Sequence, residues 1–182
     1  MRIGIEDVMF VMVDIQDRFR GHIPDMKNLV RNASILNKGA ELLDIPLLIT
    51  EQYPIGLGPT LEEIYTPQHA RWMDKTSFSI FEDEIEEFIK ASGKEKIILY
   101  GIEAHICITQ SVLVAREKEL IPIVVEDAVS SISQHNKNIA LKRIQENEGI
   151  VVSTEMLLFE LLQTASHPDF REISKIVKLG VN

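Results

Sequence analysis

The chain has 182 residues, 45% of them apolar and 26% charged, the proportions of a globular protein rather than a disordered or collagen-like one. Nineteen basic residues against 28 acidic ones leave a net charge of −9 at pH 7, which disfavours a phosphate backbone as the main partner. No apolar run approaches the roughly 18 residues of a membrane helix, and one cysteine excludes an internal disulfide or a multi-thiolate metal site.

The opening MRIGIEDVMFVMVD does not read as a signal peptide, because Glu6 and Asp7 precede the apolar run and Asp14 ends it. The expectation is a soluble, cytoplasmic protein with one domain over residues 1–182, with no nucleic acid and no membrane as partner.

Val8 to Val13 (VMFVMV) is the first expected strand, apolar on both faces and running straight into Asp14. A helix follows from Asp25 or Met26 to Leu43, with Leu29, Val30, Ala33, Leu36, Ala40 and Leu43 on one face. Pro46 to Ile49 is a second strand, ending at Thr50. The stretch from Glu51 to Phe78 is irregular, punctuated by Pro54, Gly56, Gly58, Pro59 and Pro67, and loops of that length are usually functional. Phe81 to Ala91 is helical, with Ile85, Phe88 and Ile89 on one face and Gly93 as its stop.

Lys96 to Tyr100 (KIILY) is a strand ending at Gly101, followed by a helix over Ile106 to Lys118. Ile121 to Val125 is a strand stopped by Glu126 and Asp127, and Asn136 to Glu146 is helical. Ile150 to Val152 is the last strand, and Thr154 to Thr164 its helix. A final amphipathic piece, Pro168 to Val177, is expected to pack on the outside or on a neighbouring subunit. Short buried strands alternating with helices predict an α/β fold with a parallel sheet and right-handed crossovers.

Ligands of open parallel sheets bind at the carboxyl ends of the strands. The candidates are therefore Asp14, then Thr50, Glu51 and Gln52, then Gly101 to Cys107, then Glu126 and Asp127. The chain has no phosphate loop, nucleophile elbow or HExxH helix. Gly56-Leu57-Gly58 reads as a flexible turn, and the five scattered histidines do not pair at metal-ligand spacing.

Cys107 begins a helical pattern just past a strand, where unpaired N–H groups stabilise a thiolate and a developing oxyanion. The plainer alternative is a small buried hydrophobe. Asp14, at a strand end, is either a proton acceptor with a burial-raised pKa or a cap for the next segment. Lys75, set among Trp72, Met73, Phe78 and Phe81, is either part of a site or a surface lysine laying its stem on apolar neighbours. Residue chemistry alone leaves these alternatives open.

VMVDIQDRF, PLLITEQYPIGLGPT, DKTSFSIF, ILYGIEAHICITQSVLVA and VVEDAVSSIS, in that order, resemble the successive blocks of the isochorismatase-like cysteine hydrolase family. TEQYPIGLGPT and HPDFREISKIVK resemble its isochorismatase domain-containing subgroup. The match runs from about Asp7 to Lys178.

The resemblance implies a three-layer α/β/α sandwich around a doubly wound, six-stranded parallel sheet, with a sixth strand near Arg71 to Met73. It implies a catalytic triad of Asp14, Lys75 and Cys107, and an Ile102–Glu103 cis peptide that turns the Glu103 N–H toward that of Cys107 as an oxyanion hole. The implied activity is hydrolysis of a small amide or related C–N bond through a thioester, in a homo-oligomer. The alternative is a catalytically silent partner-binding protein on the same fold.

Related nicotinamidases bind a metal through an aspartate and histidines after the second strand, where this chain reads TEQYPIGLG. The expectation is therefore no catalytic metal and no cofactor. True isochorismatases lack a cysteine nucleophile, so Cys107 argues against isochorismate as substrate. Phe19 falls where the family places an aromatic wall, and Gln52 and Tyr53 offer an amide and a phenol to a small-molecule substrate. His105 is expected to be packed and hydrogen-bonded, and Asp127 to cap the turn that follows it.

Overall fold

In the computed structural model, which describes residues 2–181, Val8–Val13 forms β1 and buries all six side chains. Five more strands surround it: β2 (Leu47–Gln52), β3 (Arg71–Lys75), β4 (Lys96–Gly101), β5 (Ile121–Val129) and β6 (Ile150–Val152). Every pairing is parallel and the order is β3-β2-β1-β4-β5-β6. That order reverses direction between β1 and β4, a switch point that opens a crevice at the carboxyl ends of those two strands.

Two helical layers cover the sheet, giving the α/β/α sandwich that the resemblance implies. Helices α1 (Met26–Leu42), α6 (Thr154–Leu162) and α7 (Phe170–Leu179) pack on one another, and α1 and α6 both pack on β5. On the other side α4 (Thr109–Glu117) packs on α5 (Gln134–Glu146). α3 (Asp83–Ala91) is tied to that layer by Lys118, which pairs with Glu86. α7 settles the last amphipathic piece: Ile173 and Ile176 are buried, and Arg31 on α1 donates to the Val177 carbonyl at 2.8 Å. The segment packs on the outside of its own chain.

Three of the differences from expectation have identifiable reasons. β3 lies inside the stretch read as irregular because it is an edge strand, and its first two residues, Arg71 and Trp72, are exposed. An edge strand needs no apolar run. A four-residue helix, α2 (Pro54–Leu57), follows β2, with proline at its first position. β5 continues through Glu126 and Asp127 to Val129. Its charges are tolerated because Glu126 pairs with Lys137 at 2.9 Å and Asp127 Oδ1 accepts from the Thr154 N–H and Oγ at 2.8 and 2.9 Å. Contrary to expectation, Asp127 does not cap the turn next to it; it holds Thr154 at the start of α6, whose N-cap is Ser153.

Gly101 joins fold to site. Its φ of +123° and its approach to β1 leave no room for a side chain, since a Cβ there would lie 2.0 Å from the Val13 carbonyl oxygen. This contact lets the Ile102 N–H donate to the Val13 oxygen at 2.9 Å, bringing the segment after β4 against the end of β1.

Candidate active site

Asp14 is the first residue beyond β1 and sits in the left-handed region at φ 53°. Its N–H donates to the Thr50 carbonyl at 3.1 Å, and the Thr50 hydroxyl donates to its Oδ1 at 2.8 Å. β2 therefore holds both the backbone and the side chain of the aspartate. Lys75 is the last residue of β3, and its Nζ lies 2.7 Å from Asp14 Oδ2 with both side chains at least 98% buried.

The ammonium of Lys75 has three protons to donate. Gln52 Oε1 accepts at 2.6 Å, the Ser77 carbonyl at 3.1 Å and the Phe78 carbonyl at 3.3 Å. With those three acceptors in place, the contact with Asp14 is short but not aligned as a hydrogen bond, and Oδ2 keeps a lone pair with no aligned donor. Lys75 places its positive charge against the Asp14 carboxylate.

Cys107 lies in a π-helical turn, Ala104–Ile108, that leads directly into α4. It is 7% exposed. Its thiol lies beside the Asp14 carboxylate, and the Glu103 backbone N–H is another polar neighbour of the sulfur. Burial pushes the thiol up to about 12, the Asp14 charge adds to this, and Lys75 and the Glu103 N–H oppose it. Burial also raises Asp14, against the pull of Lys75, Thr50 and the thiol itself. Burial thus favours the protonated form of both groups, and the Lys75 charge opposes it at each.

The Ile102–Glu103 peptide is cis, as the resemblance implies. The flanking N–H groups are both engaged, that of Ile102 by Val13 and that of Ala104 by the Ser130 carbonyl at 2.8 Å. His105 is half-buried, with Nδ1 3.0 Å from Ser131 Oγ and 3.7 Å from Glu103 Oε2. These three residues do not make a second serine-histidine-acid relay. Serine and acid face the same ring nitrogen, and Ser131 is 1% exposed.

Gln52 directs its amide to Lys75 and, through Nε2, to the Thr76 carbonyl at 2.7 Å. Tyr53 follows with its N–H on the Lys75 carbonyl at 2.9 Å and its ring against Gly56, whose Cα leaves space for it. Phe19 closes the short turn after β1 and packs, half-buried, against the core. Tyr53, Phe78 and Ile132 are each about half exposed, at 54%, 52% and 52%, so three of the loops at this end of the sheet carry apolar surface.

Gln16 joins these residues without having been expected from the sequence. It is fully buried, its Nε2 donates to the Gln52 and Gly58 carbonyls at 3.0 and 2.7 Å, and its Oε1 accepts the Gln52 N–H at 2.9 Å. An amide two residues past Asp14, at the end of an apolar run, was its only sequence signal. The Ser77 and Phe78 carbonyls had none, being backbone. Among the described residues no three His, Cys, Asp or Glu side chains converge to hold a metal ion. No helix there is long and apolar enough to cross a membrane.

Comparison with known proteins agrees with this architecture. The Isochorismatase domain profile matches residues 8–156. Isochorismatase domain-containing protein 2 of Danio rerio is 36% identical over 177 residues, covering 97% of this chain and 89% of that protein. The structure of the MAR1 ribonuclease of Caenorhabditis elegans superposes with a TM-score of 0.93 at 31% identity, over 98% of this chain and 93% of that one. YcaC of Escherichia coli, an octameric hydrolase of unknown specificity, shares the fold with a TM-score of 0.86 at 20% identity, over 98% and 97% of the two chains. With the profile spanning residues 8–156 and relatives more than 30% identical over nearly the whole chain, the chain belongs to the isochorismatase family of hydrolases.

Proposed function

We propose that this protein is a cysteine-dependent hydrolase of a small amide or related C–N bond, with Asp14, Lys75 and Cys107 as its catalytic triad. The observation that carries the reading is the buried Lys75–Asp14 pair at 2.7 Å, with the Cys107 thiol beside the same carboxylate and the Glu103 backbone N–H near the sulfur.

As the sulfur attacks the carbonyl carbon, its proton passes to Asp14 and the carbonyl oxygen becomes an oxyanion held by the Glu103 and Cys107 N–H groups. Collapse of that intermediate breaks the C–N bond, and protonated Asp14 gives its proton to the departing amine. A thioester remains on Cys107. Water attacks it, again losing its proton to Asp14, and the carboxylic acid leaves as the thiol is restored. Lys75 keeps the site's negative charge compensated throughout, whether that charge rests on Asp14 or on sulfur.

Gln52 serves this chemistry by fixing Lys75, while Phe19 and Tyr53 border the space for substrate. A neutral small molecule fits the reading better than the RNA implied by the name of the nematode relative. Net charge −9 repels a phosphate backbone. A homo-oligomer is part of the proposal, supported by the octameric YcaC.

The test is a panel of small primary amides screened for ammonia release by the wild type and by Cys107→Ala. Release by the wild type alone supports the reading. Equal release by both proteins, or none from either across a panel spanning aliphatic, aromatic and carbamoyl amides, turns it toward the partner-binding alternative.

A further inference from the structure

Glu103 carries a carboxylate that the mechanism above does not use. Its side chain is 10% exposed, a costly place for a charge without partners. Oε2 accepts the Ile132 N–H at 2.9 Å, a contact spanning 29 positions of sequence. His105 Nδ1 stands 3.7 Å from the same oxygen and 3.0 Å from Ser131 Oγ. The neighbouring backbone is already joined: Ser130 donates to the Gly101 carbonyl at 3.1 Å and accepts from Ala104 at 2.8 Å. The Glu103–Ile132 bond adds a third tie, from the residue whose own N–H neighbours the sulfur.

We propose that Glu103 is a positioning residue whose carboxylate, through the Ile132 N–H and with His105 and Ser131 beside it, latches the loop after β5 to the nucleophile turn and thereby holds the Glu103 N–H as an oxyanion donor. The inference rests on the hydrolase reading above and assigns this side chain a role within it. The physical reason is geometric. An oxyanion donor works only when it is already aimed at the atom where charge will develop. With Val13 holding Ile102, Ser130 holding Ala104 and the Glu103 carbonyl accepting from Ile106 and Ile108 at 3.1 and 3.2 Å, the remaining freedom at position 103 lies in the peptide that carries its N–H and in its side chain. Anchoring the carboxylate to a second loop removes that freedom. The same bond places Ile132, half exposed, beside the turn.

Two reactions of Cys107 separate this role from a general structural one. Alkylation by iodoacetamide forms an S–C bond at a methylene and releases iodide, so no oxyanion develops. Acylation by p-nitrophenyl acetate forms a thioester through a tetrahedral oxyanion, breaks the ester C–O bond and releases p-nitrophenolate, the thiol proton passing to Asp14. Glu103→Met fills the same space with no acceptor, and Glu103→Gln retains one.

Loss of a whole oxyanion donor costs about 100- to 1,000-fold, so a misaimed one is expected to cost about 10- to 100-fold. Glu103→Met should slow acylation by that factor while its alkylation stays within about threefold of the wild type. Glu103→Gln should bring acylation back to within about threefold. Acylation by Glu103→Met within threefold of the wild type overturns the proposal. So does a parallel fall in both reactions, which would place the damage at the thiol, and so does Glu103→Gln falling as far as Glu103→Met. A wild type that is alkylated but never acylated removes the proposal together with the oxyanion step. A wild type inert to both reagents instead removes the nucleophile reading itself.

Discussion

Lys75 Nζ lies 2.7 Å from Asp14 Oδ2, while Gln52 Oε1 and the Ser77 and Phe78 carbonyls accept from the same ammonium. In the proposed mechanism the lysine compensates negative charge and the carboxylate takes the thiol proton. Four predictions depend on this arrangement and on the turn that brings Cys107 to it.

Replacing Asp14 with Asn leaves Lys75 as the only charge beside the sulfur. The Asp14 charge raises the thiol and Lys75 lowers it, so the variant's thiol should ionise at lower pH, by about one unit or more. Iodoacetamide alkylation followed from pH 5 to 10 should show the earlier rise, while amide hydrolysis is lost for want of a proton acceptor. An unchanged or later rise would mean that the thiol does not feel this pair.

Lys75→Met strands the buried Asp14 carboxylate. Breaking a buried pair from one side costs about 3–5 kcal/mol at neutral pH. Asp14 already has a raised pKa in the folded state, and loss of Lys75 raises it further. A carboxyl raised on folding contributes stability that is present below its unfolded value and is lost as pH rises through the folded one. Urea unfolding of the variant should thus approach the wild type near pH 4 and fall furthest behind it near pH 7. A deficit independent of pH would sink the idea.

Cys107 supplies a second pH window. Its folded pKa, about 12, lies above the ordinary thiol value, so the thiol's contribution is intact at neutral pH and is lost as pH rises from about 9 toward 12. The stability difference between wild type and Cys107→Ala should drift in favour of the variant by up to about 1.4 kcal/mol per pH unit in that range. Denaturant melts of the two proteins at pH 8, 9 and 10 measure the drift, and parallel curves would contradict it.

Gly101→Ala sets a Cβ 2.0 Å from the Val13 oxygen at a backbone angle that disfavours side chains. The end of β4 must then move away from β1. A loss of about 4 kcal/mol or more is expected, as for other large steric clashes in a packed core. Any folded fraction should also lose the pH dependence of alkylation that Asp14 imposes. Wild-type stability in this variant would show that the close approach of the two strands is dispensable.

The most legible strands are those with a wholly apolar run. Val8–Val13 matches its run residue for residue because a strand covered on both faces admits only apolar side chains, and Ile150–Val152 does so at the far sheet edge although two of its three residues are only partly buried. β3 was not legible from its own residues. Arg71, Trp72 and Asp74 face solvent at the sheet edge, so burial imposed no pattern, and only the family resemblance pointed there. β5 ran past its expected end because Lys137 and Thr154, remote in sequence, neutralise or occupy Glu126 and Asp127.

The sequence by itself determined the alternation of elements, the parallel sheet and, through its ordered blocks, the family and the three residues to inspect. It determined these because periodicity and burial are local properties that each segment carries alone. The tertiary structure decided what those residues are to one another. Asp14, Lys75 and Cys107 come from the ends of three different strand units, and only the β3-β2-β1-β4 order sets them side by side. Which acceptors take the lysine's protons, and which loop the Glu103 carboxylate grips, follow from contacts between distant segments. Such contacts depend on how packed layers meet, which no local pattern encodes.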